Sequence, residues 1–168
     1  GSGGMLASIA KAKSLAASIP GSWIPDQFSN TANAAAHYMT TAPEIWEDTA
    51  GEIAAFVAGI GTGGTISGTA RYLKEKLPHV HVIAVEPQES PLLSKGYSGA
   101  HGIQGIGANF VPTVLDLRVI DEVVTVTTEQ AKEYCRILGN TEGLLGGISS
   151  GAAFAAAVEV AKRAEMSG

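Results

Sequence analysis

Three short apolar runs stand out in the pattern of hydrophobic and polar positions along the chain. They are IAAFVAGI at 53–60, VHVIAVEP at 80–87 and VIDEVVTV at 119–126. Runs of this length favour buried strands over helices. The pattern therefore predicts a sheet that contains 53–58, 80–85 and 121–126.

A helical pattern separates the first two runs and ends at Pro78. Four apolar residues there recur at i, i+4, i+7 and i+11, on one face of a helix: Ile66, Ala70, Leu73 and Leu77. A strand, a glycine-rich turn, a helix and a second strand form a βαβ unit, in which the strands are parallel and the crossover is right-handed. We therefore expect an α/β fold, in which helices 66–77 and 149–163 cover the two faces of a parallel sheet.

Other segments also have helical signatures. Residues 5–19 are rich in strong helix formers and stop at Pro20, and residues 33–48 predict two short helices. Thr127 and Gln130 have capping-box spacing ahead of a further helix. The apolar face of that helix is marked by Ala131, Tyr134, Cys135 and Leu138.

The order of these segments predicts a single α/β domain over 1–168. Within it, 1–50 form a helical lead-in and 51–168 form the βαβ core. The segment 149–163 is apolar almost all round, so we expect its helix to be buried on most sides. Residues 88–114 are long, glycine-rich and irregular, and loops of that length in a compact domain are usually functional or mobile.

Composition narrows the class of protein. The 168 residues are 45% hydrophobic and 16% charged, which is typical of a folded domain. The net charge is −5 and the chain has no basic block, which argues against nucleic acid or an anionic membrane as a partner. No apolar run reaches the roughly 18 residues of a membrane span. The single cysteine, Cys135, cannot form an internal disulfide, and no signal peptide opens the chain, so we expect a cytoplasmic protein.

The glycine-rich turn at 59–68, GIGTGGTISG, is the strongest candidate site. Glycines allow the backbone to approach a ligand closely, threonine hydroxyls add donors, and a helix N-terminus carries unpaired N–H groups, a combination that suits phosphate. A tight turn without a ligand is the alternative. No lysine follows the glycines, which excludes a Walker A motif, and only Glu86 stands where dinucleotide binding would need an acid.

Four other features carry weaker signals. His79 and His81 would point to one face of a strand, but a solvated strand start explains them better than a metal site. Cys135 reads as a core residue, and Ser149 and Ser150 as N-capping residues of the last helix. The sequence QGIGANF at 104–110 is either a structural loop or a place of close backbone approach.

The chain closely resembles the cysteine synthase (O-acetylserine sulfhydrylase) family of fold-type II enzymes, which use pyridoxal phosphate (PLP). The resemblance is carried by TAPEIWEDTAGEIAAFVAGIGTGGTISG, HGIQGIGANFVP, VIDEVVTV and EGLLGGISSGAA, in that order, and covers almost the whole chain. It implies the larger α/β domain of these enzymes, incomplete at both ends. It also implies that the PLP phosphate is bound by Gly61, Thr62, Gly63, Gly64 and Thr65.

The resemblance implies a substrate side of the site as well. Gln27, in the QF motif, would contact the substrate carboxylate, and the loop that holds Gln104, Gly105 and Gly107 would border the mouth of the site. The implied reaction is β-replacement of O-acetyl-L-serine with sulfide to give L-cysteine. The implied partners are a second copy in a homodimer and serine acetyltransferase.

The departures from the family pattern concern catalysis. Three family features are missing: the early lysine that forms the Schiff base with the cofactor, the TSGNTG loop and the late SGE segment. The chain therefore has no predicted catalytic residue. It also has no predicted metal ligand. Its seven lysines stand in other contexts, at 11, 13, 74, 76, 95, 132 and 162. We therefore expect the chain alone to be inactive. The alternatives are a non-catalytic α/β fragment that binds phosphate or a partner protein, or a related enzyme such as cystathionine β-synthase.

Overall fold

The computed structural model describes residues 4–163, so the outermost residues of the predicted domain, 1–3 and 164–168, lie outside the described part. The strands are β1 (Ala55–Gly59), β2 (His81–Pro87) and β3 (Glu122–Val126). The helices are α1 (Gly4–Ser18), α2 (Ala32–Met39), α3 (Thr41–Asp48), α4 (Gly64–Lys76), α5 (Leu92–Lys95), α6 (Thr128–Glu142) and α7 (Ile148–Ala161), with a short 3-10 helix at Leu117–Val119.

The three strands form one parallel sheet in the order β1-β2-β3. Val57 stands opposite Ile83 in the first pair of strands, and Ile83 stands opposite Glu122 in the second. The predicted parallel sheet is confirmed, with strand boundaries within two residues of those expected. All three strands end at the same edge of the sheet, where the connections to the next elements begin.

Helix α4 covers one face of the sheet with the predicted residues. Ile66, Ala70 and Leu73 are fully buried and pack with Val82 and Ala84 of β2. The helix begins two residues before the apolar pattern does, because its first residues, Gly64 and Thr65, contribute no large apolar side chain to that pattern. Its burial fixes the glycine-rich turn at the carboxyl end of β1.

Helices α6 and α7 cover the opposite face of the sheet. Val85 and Val126 pack there against small residues of both helices, Ala131, Ala152 and Ala156. The predicted capping box at the start of α6 is confirmed: Thr127 Oγ1 accepts from the N–H of Gln130, and Gln130 Oε1 accepts from the N–H of Thr127, both at 3.0 Å.

Two burial expectations on this face are wrong. Cys135 is only half-buried, and its thiol donates to the carbonyl oxygen of Gly146 at 3.3 Å. Helix α7 buries one side only, while Phe154 and Val158 on its other side are half-buried. For α7 the reason is that, within residues 4–163, its main contacts are with α6 and the sheet, and these leave its remaining side uncovered.

The lead-in helices differ in how firmly they pack. Helices α2 and α3 lie against α4, whereas α1 contains no buried residue and exposes Met5 and Leu6. Over residues 4–163, no helix combines the length and apolar character needed to cross a membrane, and no group of three or more histidine, cysteine or acidic side chains is placed to hold a metal ion.

Candidate functional site

The carboxyl edge of a parallel sheet is where open α/β folds bind ligands, and a cavity opens there after β1. Its volume is about 410 Å³. The glycine-rich turn forms one wall, and the loop after β2 and the start of α7 form the others. The lining residues are Gly59, Gly61, Thr62, Gly63, Thr65, Gly105, Ile106, Ser149, Ser150 and Ala153.

The turn from β1 into α4 presents free backbone donors. Gly63 has φ of +84°, in the left-handed region that favours glycine, and this reverses the chain into the first turn of α4. Within the described residues, the N–H groups of Gly61, Thr62, Gly63 and Thr65 have no hydrogen-bond partner. Such a cluster of amides at a helix N-terminus is chemically suited to an anion.

The charge that the cavity offers comes from the backbone. No acidic or basic side chain is among the lining residues that the structure describes. The N-terminus of α4 carries about half a unit of positive charge from its aligned peptide dipoles. A phosphate would thus be held by amides, hydroxyls and the helix dipole, without a lysine or arginine.

Asn33, at the start of α2, ties the turn to the segment before it. Its Nδ2 donates to Thr62 Oγ1 and to the backbone oxygen of Gln27, each at 2.9 Å. A Cβ atom at Gly64 would collide with Asn33 Oδ1, so the close approach of α2 and α4 requires glycine at 64. Gly64 therefore faces Asn33 and does not line the cavity.

His37, one turn further along α2, contacts the other threonine of the turn. Its Nε2 lies 3.2 Å from Thr65 Oγ1, and its Nδ1 lies 2.9 Å from Thr41 Oγ1. The ring thus joins the first turn of α4 to the start of α3. Thr65 is exposed at the cavity, and its hydroxyl has a hydrogen-bond partner on the protein side.

A second cavity, of about 440 Å³, adjoins the first. Gly61, Thr62, Gly105 and Ile106 line both cavities, so the two lie side by side. Gln27 and Gly107, which the resemblance places on the substrate side, line only the second. The structure thus brings most of the predicted site residues together around two adjoining cavities, whereas Gly64 lines neither and Gln104 lies outside both on an exposed part of the loop.

The loop that borders both cavities is anchored at two points. The N–H of Gly107 donates to the oxygen of Ile60 at 2.9 Å, which links the loop to the turn after β1. His101 Nε2 contacts the oxygen of Gly107 at 2.9 Å. On the other side, the rings of Phe28 and Phe110 meet edge to face at 4.9 Å, next to Gln27.

Ser149 and Ser150 correct one sequence interpretation. They are not N-capping residues: the N-cap of α7 is Gly147, and no side chain caps that end. Both serines lie in the first turn of α7, and both line the first cavity. Sequence reasoning placed them at a helix start and missed that this helix start faces the glycine-rich turn.

Glu86 has a structural role in this arrangement. Its buried carboxylate accepts from the N–H groups of Leu93 and Ser94 at 2.8 and 2.9 Å, which fixes the start of α5. This carboxylate is the acid that the dinucleotide alternative requires. Because it is occupied by α5, that alternative loses its support.

The carboxyl groups with the clearest pKa shifts lie outside both cavities. The Arg163 guanidinium beside Glu122 lowers the pKa of that carboxyl to about 2, with a smaller contribution from His81. The Arg118 guanidinium likewise lowers the pKa of Asp116. Ion pairs explain both shifts, so neither group is a candidate acid or base.

Two residues that matter for the site were not singled out from the sequence. Asn33 stands in a polar stretch, SNTAN, that predicts a loop, and His101 belongs to a set of histidines examined only for metal spacing. Nothing in the local pattern shows that either contacts a segment far along the chain. A long-range contact of this kind requires the fold.

The comparisons with known proteins agree with this geometry. Residues 2–168 match the family described as pyridoxal-phosphate dependent enzyme. Cysteine synthase B of Campylobacter jejuni is 51% identical over 160 residues, which are 95% of this chain and 53% of that protein. Cysteine synthase A of Escherichia coli K12 is 46% identical over 169 residues, covering 95% of this chain and 52% of that protein.

Solved structures show the same relationship. A hydrogen sulfide-producing enzyme from Fusobacterium nucleatum superposes with a TM-score of 0.93 at 46% identity, over 96% of this chain and 55% of that one. Cysteine synthase from Entamoeba histolytica superposes with a TM-score of 0.89 at 41% identity, over 94% of this chain and 46% of that one. The chain spans about half the length of the relatives that it matches. With a family match over nearly its whole length, the chain belongs to the pyridoxal-phosphate dependent enzymes.

Proposed function

We propose that this chain supplies the cofactor-phosphate and substrate-carboxylate sides of a cysteine synthase. The parent enzyme would replace the acetate of O-acetyl-L-serine with sulfide to give L-cysteine. The observation that carries the proposal is the set of unpaired amides at Gly61, Thr62, Gly63 and Thr65 around a cavity at the N-terminus of α4. The names of the relatives support the same reaction for the parent.

The residues of the first cavity fit the phosphate of PLP. Backbone amides of the glycine-rich turn would bind its oxygens, and the hydroxyl of Thr62 would donate to it. Thr65 is also a proposed ligand, and its contact with His37 would hold its hydroxyl in place. PLP, when bound, supplies an electron sink for the substrate α-carbon.

The second cavity is the proposed place of the amino-acid substrate. Gln27 would orient the carboxylate there by donating from its side-chain amide, and Gly105 and Gly107 would let the substrate approach the backbone of their loop closely. Gln104 is proposed to border the mouth, where it is exposed to arriving ligands. The shared wall at Gly61 and Thr62 would keep cofactor and substrate next to each other.

A non-catalytic role for the isolated chain has one observation in its favour. None of the seven lysines lines either cavity, and all seven are within the described residues. Without an amine beside the bound cofactor, phosphate binding would persist without turnover. Homodimer formation, a complex with serine acetyltransferase and a cytoplasmic location are further proposals for the parent, carried by the resemblance alone.

Ligand binding tests the proposal directly. Titration of the chain with inorganic phosphate and with PLP, followed by calorimetry and ³¹P NMR, is expected to show saturable binding of both at one site. Thr62→Val should weaken both. The sequence of the flanking coding DNA separates the two candidate roles, since an in-frame upstream segment with the family lysine would support an enzyme. The absence of any phosphate binding would overturn the proposal.

A further inference from the structure

The side chain of Asn33 has a fixed orientation next to the proposed phosphate site. One of its two hydrogen bonds goes to the backbone oxygen of Gln27, which can only accept. The amide nitrogen must therefore be on that side, and the same nitrogen reaches Thr62 Oγ1. Asn33 thus donates to the hydroxyl of Thr62 and cannot accept from it in this orientation.

The hydroxyl of Thr62 has both of its acceptor positions filled. It accepts from Asn33 Nδ2 at 2.9 Å and from the N–H of Gly64 at 3.3 Å. A threonine hydroxyl has two acceptor lone pairs and one proton. That proton must point away from both donors, and no acceptor for it exists among residues 4–163. Thr62 is among the residues that line the first cavity, where a ligand could accept that proton.

We propose that Asn33 is a positioning residue that makes the Thr62 hydroxyl an obligate hydrogen-bond donor to a bound phosphate group. This inference rests on the proposed function and adds a specific residue to it. A free hydroxyl can rotate and present a lone pair to an anion, which is unfavourable. With Asn33 and Gly64 occupying both lone pairs, only the donating orientation is left, and the hydroxyl is preorganised for an acceptor ligand.

The same amide contacts one residue from each side of the proposed site. Its second bond holds the backbone of Gln27, the proposed carboxylate ligand, while Thr62 lies on the wall that both cavities share. Asn33 Oδ1 fills the space beside Gly64. The geometry therefore couples the phosphate donor and the position of the substrate segment through one side chain.

A double-mutant cycle tests whether Asn33 acts through Thr62. The variants are N33A, T62V and N33A/T62V, and the probes are inorganic phosphate and PLP. We expect each single variant to weaken binding of both probes about tenfold, because this is the affinity that one charge-assisted hydrogen bond to the phosphate contributes. The double variant should bind no more weakly than T62V. Once the Thr62 hydroxyl is absent, removal of the Asn33 side chain has no further effect on binding. Independent, multiplied losses would overturn the inference.

A second pair of variants keeps the test informative if N33A does not fold. N33D preserves the size of the side chain but removes the donor, and N109D adds the same charge at the second cavity without touching Thr62. N33D should weaken phosphate binding at least tenfold more than N109D does, with both folds checked by circular dichroism. Equal losses in the two variants would contradict a role for the Asn33 donor.

The controls separate this inference from the proposed function and identify the ligand source. Pyridoxal, which lacks the phosphate, should show no dependence on Asn33, whereas PLP and free phosphate should share it. Wild-type protein that binds neither phosphate nor PLP would overturn the proposed function together with this inference. Wild-type protein that binds both, with N33A binding equally well, would overturn the inference alone.

Discussion

His101 donates from Nε2 to the carbonyl oxygen of Gly107 at 2.9 Å, and this bond fixes the orientation of the ring. The carbonyl only accepts, so Nε2 carries the proton. The N–H of Ile103 lies 3.3 Å from Nδ1, so both ring nitrogens have a partner in the same loop. One imidazole therefore closes the loop from 103 to 107 that borders both cavities.

Removal of this ring should loosen the loop. We expect His101→Ala to lower the free energy of unfolding by about 1–3 kcal/mol, because the variant loses the hydrogen bonds to both Gly107 and Ile103. Hydrogen exchange of the peptide that covers 101–108 should become faster. His101→Gln can still donate to Gly107 and should fall between the alanine variant and the wild type. Exchange in both variants that matches the wild type would contradict the role of the ring.

The turn before α4 offers a matched comparison of two glycines. Gly63 and Gly143 both have positive φ, +84° and +69°, but a Cβ at Gly63 would meet Leu115 Cβ at 2.7 Å, while a Cβ at Gly143 would meet nothing within 4 Å. Gly143→Ala should cost only the left-handed backbone penalty, about 1–2 kcal/mol. Gly63→Ala should cost about 1–3 kcal/mol more, because it also overpacks the turn.

Urea denaturation of both glycine variants measures these costs, and titration with inorganic phosphate measures the effect on the site. Phosphate binding should weaken in Gly63→Ala and stay unchanged in Gly143→Ala, which lies at the end of α6 away from both cavities. If the two variants lost stability equally, the packing of Leu115 against the turn would not matter.

The sheet and α4 could be predicted from the sequence because their signals are local. Ile66, Ala70 and Leu73 repeat at helical spacing, and all three are buried as that spacing requires. The glycine-rich turn was found in the same way, since a strand pattern before it and a helix pattern after it define a βα connection. Glycines and threonines at such a connection, next to the N-terminus of a helix, already indicate an anion site.

The rest of the site depends on contacts between distant segments. Asn33 meets Thr62 across 29 positions, and the sequence around Asn33 predicts only a loop. The exposure of α7 could not be predicted either. A helix that is apolar on all sides is expected to be buried on most sides, whereas the described residues cover only one side of α7. Burial depends on which neighbours are present, and local composition does not report that.

The ion pair between Glu122 and Arg163 predicts a specific dependence of stability on pH. The pair ties β3 to the end of α7 through two bonds of 2.7 and 2.8 Å, and it lowers the pKa of Glu122 to about 2. Because the folded pKa lies below the ordinary value of 4.5, the stabilisation is present above about pH 4.5 and is lost as pH falls towards 2.

Glu122→Gln measures this contribution. Both side chains of the pair are about one-third exposed, so solvent screening reduces the expected loss at pH 7 to about 1 kcal/mol. The difference in free energy of unfolding between wild type and variant should shrink steadily between pH 4.5 and 2. A difference that stayed constant over that range would show that the charge of Glu122 does not stabilise the fold.

The chain by itself should make no cysteine from O-acetylserine and sulfide, even with PLP added. The family reaction needs an amine held beside the cofactor, and no lysine lines either cavity among residues 4–163, which include all seven lysines. Positioning of reacting groups can lower the activation barrier by about 7–11 kcal/mol, so its loss should bring turnover to the background of free PLP.

A cysteine assay against a protein-free control, with Escherichia coli cysteine synthase A as the positive control, measures this turnover. Borohydride reduction and mass spectrometry would then map any attached cofactor. Cysteine above background, with PLP attached to a single lysine in saturable fashion, would show that one of the seven lysines has taken the catalytic position.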